Sequence, residues 1–551
     1  MKSLTPKLCT TLKDYSKEQF AKDFTAGIIV AIIALPLSIA LAIASGVSPE
    51  KGLHTAIIAG FLISMLGGSR VQIGGPTGAF MVIVYSILVK FGINGLILST
   101  IMAGFIMILM GFLKLGSIIK FIPFPITTGF TSGIALVIFS SQIKDFFGLN
   151  IGEVPTSFIS KWSLYINSIS SIHLQTTFIG LLALLIIIFW PKINDKIPGA
   201  LIALVVTSVI VKYFELNVAT IGTKFGELSS SLPKFSLPEI SLTQISSLLE
   251  PALTIAILGS IESLLSAVVS DGMIGGKHRS NMELIAQGIA NIASGLFGGI
   301  PATGAIARTV ANIKNGGRTP IAGMVHALTL LVIMLVFMPL AKMIPLTSLA
   351  AVLIIVAYNM SEWREFKFLF KSPKSDVIVL LVTFGITVLV DLVKAIEIGM
   401  VLSAFLFMKR MSDVSNVNIS KMDASEESED GNFDFMEENK KIKTPKNVQI
   451  YEINGPFFFG AADKFFDALK SLGSKTNTLI IRMRNVPAMD ATALHAFRRM
   501  IDLCEHKKIR LIISGINTQP QSVLDKAGLT EKIGKNEFFE YIEDAIKASE
   551  K

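Results

Sequence analysis

The sequence predicts a polytopic α-helical membrane protein with fourteen spans in a seven-plus-seven inverted repeat, followed by a small cytoplasmic α/β domain. Three observations support this fold class. The chain has 551 residues and is only 17% charged, against about 25% in an ordinary soluble domain. Its long apolar runs lie within residues 24–410, between two polar ends. Two Gly- and Pro-broken segments of similar sequence stand at matching positions in that region, which indicates an internal repeat.

Fourteen apolar stretches are candidate spans, although several are shorter than the roughly 20 residues of a full crossing. They begin near these residues: Phe24, Leu53, Thr77, Leu96, Thr127, Thr176, Pro198, Pro251, Met282, Ala302, Pro320, Thr347, Ser375 and Val393. The polar residues 1–23 have neither the apolar core nor the cleavage site of a signal peptide. We therefore expect a cytoplasmic N-terminal segment and a first apolar run that is itself a span.

The positive charges are distributed as in a bacterial inner-membrane protein. Lys and Arg occur in alternate short loops, beginning before the first span and ending with Lys409 and Arg410 after the last. This pattern places both termini in the cytoplasm. The net charge of +9 does not indicate nucleic-acid binding, because no basic stripe with interleaved aromatic residues is present.

The internal repeat is clearest at the two breaks. Residues 74–79 read Gly-Gly-Pro-Thr-Gly-Ala, and residues 298–305 read Gly-Gly-Ile-Pro-Ala-Thr-Gly-Ala. Each break lies at the third span of its half, so the repeats comprise about residues 24–214 and 249–410. Because seven is odd, the second half is inverted relative to the first.

Paired broken spans predict an anion site. The new N-terminus of a broken helix exposes backbone N–H groups at its positive dipole end, and two such ends would face each other near the membrane centre. The alternative is that the glycines only allow close helix packing. Arg308 either adds positive potential there or extends to the lipid headgroups. The candidate binding residues are Gly75, Thr77, Gly78, Ala79, Thr303, Gly304, Ala305, Arg308 and Ser38.

Glu262 is a candidate coupling residue because it lies in an otherwise apolar span. A carboxylate in such a place is held neutral, carries a proton or pairs with sodium; a hydrogen-bonded structural Glu is the alternative. Ser266 lies four residues further on the same helix face. The predicted cation-coupling group is Glu262, Ser266 and Gly304, with a possible sodium at Glu262 and Ser266.

Enzyme chemistry is not expected. The sequence shows no nucleophile–base pair, phosphate loop or metal-ligand cluster. Its two cysteines, Cys9 and Cys504, fall in segments predicted to be cytoplasmic, so no disulfide is expected. We predict no cofactor or resident metal, and a co-transported proton in preference to sodium.

The C-terminal part changes composition. Residues 411–446 contain the acidic run 423–430 and are predicted to be a flexible linker. Residues 447–551 show alternating strands and helices, which indicates a compact α/β domain. The predicted strands and helices are, in order, strand 448–453, helix 461–471, strand 478–483, helix 491–506, strand 510–514 and helix 538–548.

The sequence resembles the SulP (sulfate permease) family across nearly its whole length. The resemblance is carried by residues 34–41, 74–79, 259–263, 270–278, 298–309 and 359–362. It implies core and gate domains, an elevator-like movement, an anion held between the third and tenth spans, and a homodimer. Residues 447–551 resemble a STAS domain, which implies a soluble partner or a regulatory role.

Two departures from the family pattern affect these expectations. Ile306 stands where a Thr helps bind sodium in sodium-coupled bicarbonate members, which favours a proton. Asp490 is followed by Ala491 and then Thr492, whereas in antagonist STAS proteins a phosphorylatable Ser follows that Asp. A phosphorylation switch therefore does not carry over directly.

The sequence thus predicts a secondary active transporter of small anions, such as sulfate, bicarbonate or a short dicarboxylate. One alternative is a sodium-coupled bicarbonate symporter. Another is a nucleobase–proton symporter of related fold, which would need an acidic residue in the tenth span, where this chain has Arg308. A membrane-tethered sensor is a third, but it has no need of paired half-helices.

Overall fold

The chain forms two compact units, Met1–Val401 and Leu402–Lys551. The structure is a computed structural model, and it describes residues 4–117, 122–152, 154–194, 197–239, 242–390, 392–414, 416–420, 445, 447–458, 460, 465 and 476–550. The acidic run 423–430, Asp391 and nearly all of the helix predicted at 461–471 lie outside the described residues.

The first unit is almost entirely helical. Its helices, the last of which continues into the second unit, are α1 (Leu8–Thr11), α2 (Lys17–Ala44), α3 (Pro49–Leu66), α4 (Gly78–Phe112), α5 (Phe124–Phe147), α6 (Phe158–Asn167), α7 (Leu174–Phe189), α8 (Gly199–Tyr213), α9 (Ile221–Phe225), α10 (Leu242–Ile274), α11 (Ser280–Leu296), α12 (Ile306–Lys314), α13 (Pro320–Ala341), α14 (Leu346–Met360), α15 (Trp363–Leu369), α16 (Lys374–Leu389) and α17 (Leu392–Val414).

Within the described residues, seven helices are long and apolar enough to cross a membrane. The protein is therefore a multi-pass membrane protein. Candidate spans three and four both fall in α4, which is interrupted at Gly92, where φ is 70° and ψ is −175°. Glycine reaches this left-handed region without steric strain. Fourteen spans and a seven-plus-seven repeat remain predictions.

Helices α4 and α11 pack closely against each other where they cross, with a glycine of each helix at the contact. A Cβ atom added to Gly104 would overlap the carbonyl oxygen of Gly288, and one added to Gly288 would overlap that of Gly104. Each glycine thus makes room for the other helix's backbone, as small residues do in membrane helix pairs. This crossing supports the second half of α4, beyond Gly92.

The two predicted breaks meet as a two-stranded antiparallel sheet. Strand β1 (Gly74–Gly75) pairs with β2 (Thr303–Gly304), with Gly74 opposite Gly304 and Gly75 opposite Thr303. After β1 the chain enters α4 through Thr77, and after β2 it enters α12 through Ala305. A short hydrogen-bonded pair therefore joins the starts of two helices that are far apart in sequence.

The second unit contains a five-stranded sheet in the order β3 (Asn416–Ser420), β4 (Val448–Asn454), β5 (Thr478–Asn485), β6 (Arg510–Ser514) and β7 (Phe538–Phe539). Strand β3 is antiparallel to β4, and the remaining neighbours are parallel. The described helices after β5 are α18 (Ala491–Lys507), α19 (Thr518–Lys526), α20 (Leu529–Ile533) and α21 (Ile542–Ser549). A core that includes Tyr451, Phe497 and Met500 fills the space between sheet and helices.

Three predictions for this unit need correction. Residues 538–548 do not form one helix, because Phe538 and Phe539 pair with β6 and α21 begins only at Ile542. Part of the predicted linker is ordered, since α17 continues to Val414 and β3 occupies residues 416–420. Helices α19 and α20 have no counterpart in the prediction.

Asp490 caps α18 by accepting a hydrogen bond from the Ala493 amide (2.8 Å).

Candidate functional site

Arg308 occupies the centre of the predicted site. Its side chain on α12 is only 2% exposed, so it lies inside the protein and does not extend to a surface. Nη2 donates to the carbonyl oxygen of Pro76 (3.0 Å) and to Oγ of Ser38 (3.4 Å). The guanidinium therefore connects the second break to the first break and to α2.

The second terminal nitrogen of the guanidinium, Nη1, is available to a ligand. Nη1 of Arg308 is buried and has no hydrogen-bond partner among the residues that the structure describes. A Cβ on Gly75 would overlap this nitrogen, so a side chain at that position would displace it. Leaving a buried guanidinium N–H unsatisfied costs free energy, and an anion at the breaks would supply the missing acceptor.

Glu262 contacts the first break directly. Its Oε2 accepts a hydrogen bond from Oγ1 of Thr77 (2.9 Å), the residue at the start of α4. This contact connects α10 to α4 across 185 residues of sequence. The predicted coupling residue and one predicted anion-binding residue are thus immediate neighbours.

The second break is held to α10 by a separate hydroxyl network. Oγ1 of Thr303 lies 2.6 Å from Oγ of Ser263 and donates to the carbonyl oxygen of Gly259 (3.0 Å). The amide of Gly304 donates to Oγ of Ser263 (3.1 Å). Sequence reasoning did not single out Ser263; its position next to Glu262 was the available signal.

Ser266 does not share the contacts of Glu262. Its Oγ donates to Oγ1 of Thr309 (3.4 Å), which also accepts the amide hydrogen of Ile73 (3.1 Å). The proposed coupling group is therefore distributed over three contacts: Glu262 with Thr77, Ser266 with Thr309, and Gly304 with Ser263. Gly78, Ala79, Ala305 and Ser38 are buried around the two breaks.

Glu283 is a buried acidic residue that sequence reasoning did not identify. Its Oε2 accepts the amides of Gly68 (2.8 Å) and Ser69 (3.0 Å), and Oε1 accepts from Gln72 (3.0 Å) and Gln287 (2.9 Å). These four bonds fix the segment that leads into β1. The spacing of Glu283 and Gln287 on one helix face was the only local signal.

Asp23 is a second acid that sequence reasoning did not identify, and it joins α2 to the segment before α13. Its oxygens accept from the Arg318 amide (2.8 Å), Thr319 Oγ1 (2.6 Å), Tyr15 OH (3.0 Å) and Gln19 Nε2 (3.1 Å). Burial and the nearby carboxylate raise the pKa of Tyr15 to about 12. No group of three or more His, Cys, Asp or Glu within the described ranges is arranged to hold a metal ion.

Comparison with known proteins identifies the family. The profile of the sulfate permease family matches residues 20–383, which is more than half of the chain. The chain belongs to the sulfate permease family. A STAS domain profile matches residues 439–545.

Relatives in this family resemble the whole chain. YvdB of Bacillus subtilis, provisionally named a sulfate transporter, is 41% identical over 96% of this chain and 98% of its own length. The bicarbonate transporter BicA of Picosynechococcus sp. is 31% identical over 95% of this chain and 94% of its own.

Solved structures show the same fold. Murine Slc26a9, an anion transporter in the inward-facing state, matches with a TM-score of 0.87 at 18% identity, over 99% of this chain and 94% of that one. The transmembrane domain of a cyanobacterial BicA matches with a TM-score of 0.63 at 30% identity, over 71% of this chain and 98% of that one. This member of the sulfate permease family is thus a helical membrane protein with a STAS domain.

Proposed function

We propose that this protein is a secondary active transporter of small anions across the bacterial inner membrane. The observation that carries the proposal is the buried Nη1 of Arg308, which has no acceptor among the described residues and lies beside the paired strands β1 and β2. The N-termini of α4 and α12 add positive dipole ends at the same place. Together these groups attract a small anion by charge and backbone hydrogen bonds, with little selection by shape.

The contact between Glu262 and Thr77 suggests how a proton would be coupled to the anion. While Glu262 is ionised it can only accept, so the hydroxyl hydrogen of Thr77 points to the carboxylate. A protonated Glu262 can donate to Thr77 instead, which releases the Thr77 hydrogen for an anion. Proton binding at Glu262 and anion binding at the break would then favour each other.

The remaining features of the proposal follow from the family and the topology. We propose elevator-type alternating access, both termini in the cytoplasm, a homodimer, and a STAS domain that regulates transport or binds a soluble partner. Neither a cofactor nor enzymatic chemistry has a part in this proposal. The homology to transporters supports transport as the activity.

The substrate is best tested by uptake into proteoliposomes containing the purified full-length protein. The panel is labelled sulfate, bicarbonate, chloride, succinate and uracil, each with a proton gradient or a sodium gradient imposed separately. We expect concentrative uptake of at least one anion with the proton gradient and none of uracil. Uptake of uracil alone, or of no compound, would contradict the proposal.

A sodium-coupled bicarbonate symporter is the second candidate. It is supported by the 31% identity to a protein named as a bicarbonate transporter and by hydroxyl groups on α10 near Glu262. It is opposed by Ile306, whose side chain offers no oxygen to a cation. Bicarbonate uptake that responds to the sodium gradient and not to the proton gradient would favour it.

A further inference from the structure

A cavity runs along the first segment of α4, from Met81 near the first break to Phe91 at the far end of that segment. It has a volume of about 510 Å³, which is within the range of small-molecule sites. Its walls come from α4, α6, the beginning of α10 and the end of α16, with Ala44 of α2 at one edge. If the termini are cytoplasmic, the end of α2 and therefore this cavity face the outside of the cell.

Two polar side chains of α6 line this cavity without partners. Lys161 is 9% exposed, and its ammonium group makes no hydrogen bond or ion pair with any described residue. Tyr165, one turn further along the same helix face, is buried, and its hydroxyl likewise has no partner in the described part of the chain. Burial lowers the pKa of Lys161 and raises that of Tyr165.

The position of these two groups is fixed by packing. Nε1 of Trp162 donates to Oγ of Ser140 on α5 (3.1 Å), which attaches α6 to the helix bundle. The Trp162 ring also meets the Tyr165 ring edge-on, with centroids 6.1 Å apart. The bond of Trp162 therefore holds this turn of α6, and with it Lys161 and Tyr165, against α5.

The charge balance of the cavity favours an anion. The described lining residues that carry full charges are Lys90, Lys161 and Glu250. Among these, Lys90 and Glu250 are exposed and Lys161 is 9% exposed, while the Asp145 carboxylate acts on Tyr165 from outside the lining. An ammonium that is largely removed from water and has no counter-ion among the described residues is stabilised by an anionic ligand.

We propose that this cavity binds a small anion, held by the Lys161 ammonium and the Tyr165 hydroxyl. These two residues belong to α6, whereas Arg308 belongs to α12 and the breaks form β1 and β2. The ligand of this site would be the transported anion, captured before it reaches the breaks, and this part of the proposal rests on the proposed function. The binding of an anion at Lys161 does not rest on it.

Competitive acylation of the full-length protein tests the proposal. Purified protein is treated with a trace of acetic anhydride in sulfate, bicarbonate, chloride or succinate, with gluconate keeping the ionic strength constant, and modification of Lys161 is followed by mass spectrometry. An anion bound at Lys161 should slow its acylation by the factor 1 + [anion]/Kd, about tenfold at ten times Kd. Lys22, which pairs with Glu18 on the surface (2.7 Å), is the internal control and should react at one rate throughout.

Two variants separate this site from the central one. Tyr165→Phe should weaken the protection of Lys161 because one donor is lost. Arg308→Ala protein that elutes like the wild type in gel filtration should retain the protection. The proposal is overturned if no anion protects Lys161, or if protection disappears in folded Arg308→Ala protein. Protection of Lys161 by an anion, without uptake of any anion into proteoliposomes, would contradict the proposed transport function and leave the proposed Lys161 site standing.

Discussion

The contact between Glu262 and Thr77 joins the proposed proton-binding residue to a proposed anion-binding residue by one hydrogen bond. Arg308 contacts the first break at Pro76, and its Nη1, which has no partner among the described residues, lies beside Gly75. In the proposed mechanism, the anion and the proton therefore need not touch each other. Their binding would be coupled through the direction of the Thr77 hydroxyl hydrogen.

The Glu262→Gln substitution tests this arrangement. Glutamine has nearly the same shape but cannot exchange a proton, and its amide can donate permanently to Thr77. We expect the variant to lose concentrative uptake in a proton gradient while retaining anion binding and anion exchange. Uptake and counterflow in proteoliposomes are the measurements.

The surface variant Glu18→Gln, which removes a carboxylate far from the breaks, is the matched control and should behave like the wild type. Full uphill uptake by Glu262→Gln would remove Glu262 from the coupling role. Loss of binding as well as uptake would instead indicate a structural role for its contact with Thr77.

Sequence reasoning found some of these residues and not others for a physical reason. Glu262 and Arg308 are conspicuous because their neighbours in sequence are apolar. Asp23 and Glu283 are fully buried, yet they lie near the polar ends of apolar segments, where a charge is ordinary. Several of their partners, such as Thr319 for Asp23, are hundreds of residues away, so the local sequence shows only part of each hydrogen-bond network.

At the scale of elements, the breaks themselves were predictable and their pairing was not. Glycine and proline mark where a helix cannot continue, and their repetition marks matching positions in two halves. The register that places Gly75 opposite Thr303 depends on packing that involves Gln72, Ser263 and Thr309. Likewise, the two-residue strand β7 is too short to show a period in sequence.

The glycine crossing of α4 and α11 gives an element-scale prediction. Gly104→Ala and Gly288→Ala each place a methyl group against the opposing backbone, and overpacking of this kind costs about 1–3 kcal/mol. We expect each variant to melt at a lower temperature than the wild type. Thermal unfolding of the detergent-solubilised protein measures this.

Gly385→Ala in α16 is the matched control, since an added Cβ there meets nothing within 4 Å. It should melt at the wild-type temperature or slightly higher, because alanine favours the helix. Equal melting temperatures for Gly104→Ala, Gly288→Ala and Gly385→Ala would show that the two helices can separate without cost.

At the scale of the whole molecule, the chain has a transport unit and a STAS domain, and the structure shows where to divide them. The predicted domain boundary would place a truncation after residue 446. The structure shows that β3 pairs with β4 over five residues, so that truncation would leave β3 with an unpaired edge. An exposed strand edge promotes aggregation. A truncation after Val414, at the end of α17, removes the whole sheet.

We therefore expect the protein truncated after Val414 to remain monodisperse and the one truncated after residue 446 to aggregate more. Both should bind the transported anion with unchanged affinity, because Arg308, Glu262 and both breaks lie in the first unit. Gel filtration and equilibrium binding of labelled anion make the comparison, and uptake shows how the rate depends on the STAS domain. If a monodisperse 1–414 protein bound no anion, the STAS domain would be a required part of the transporter, and a purely regulatory role would be wrong.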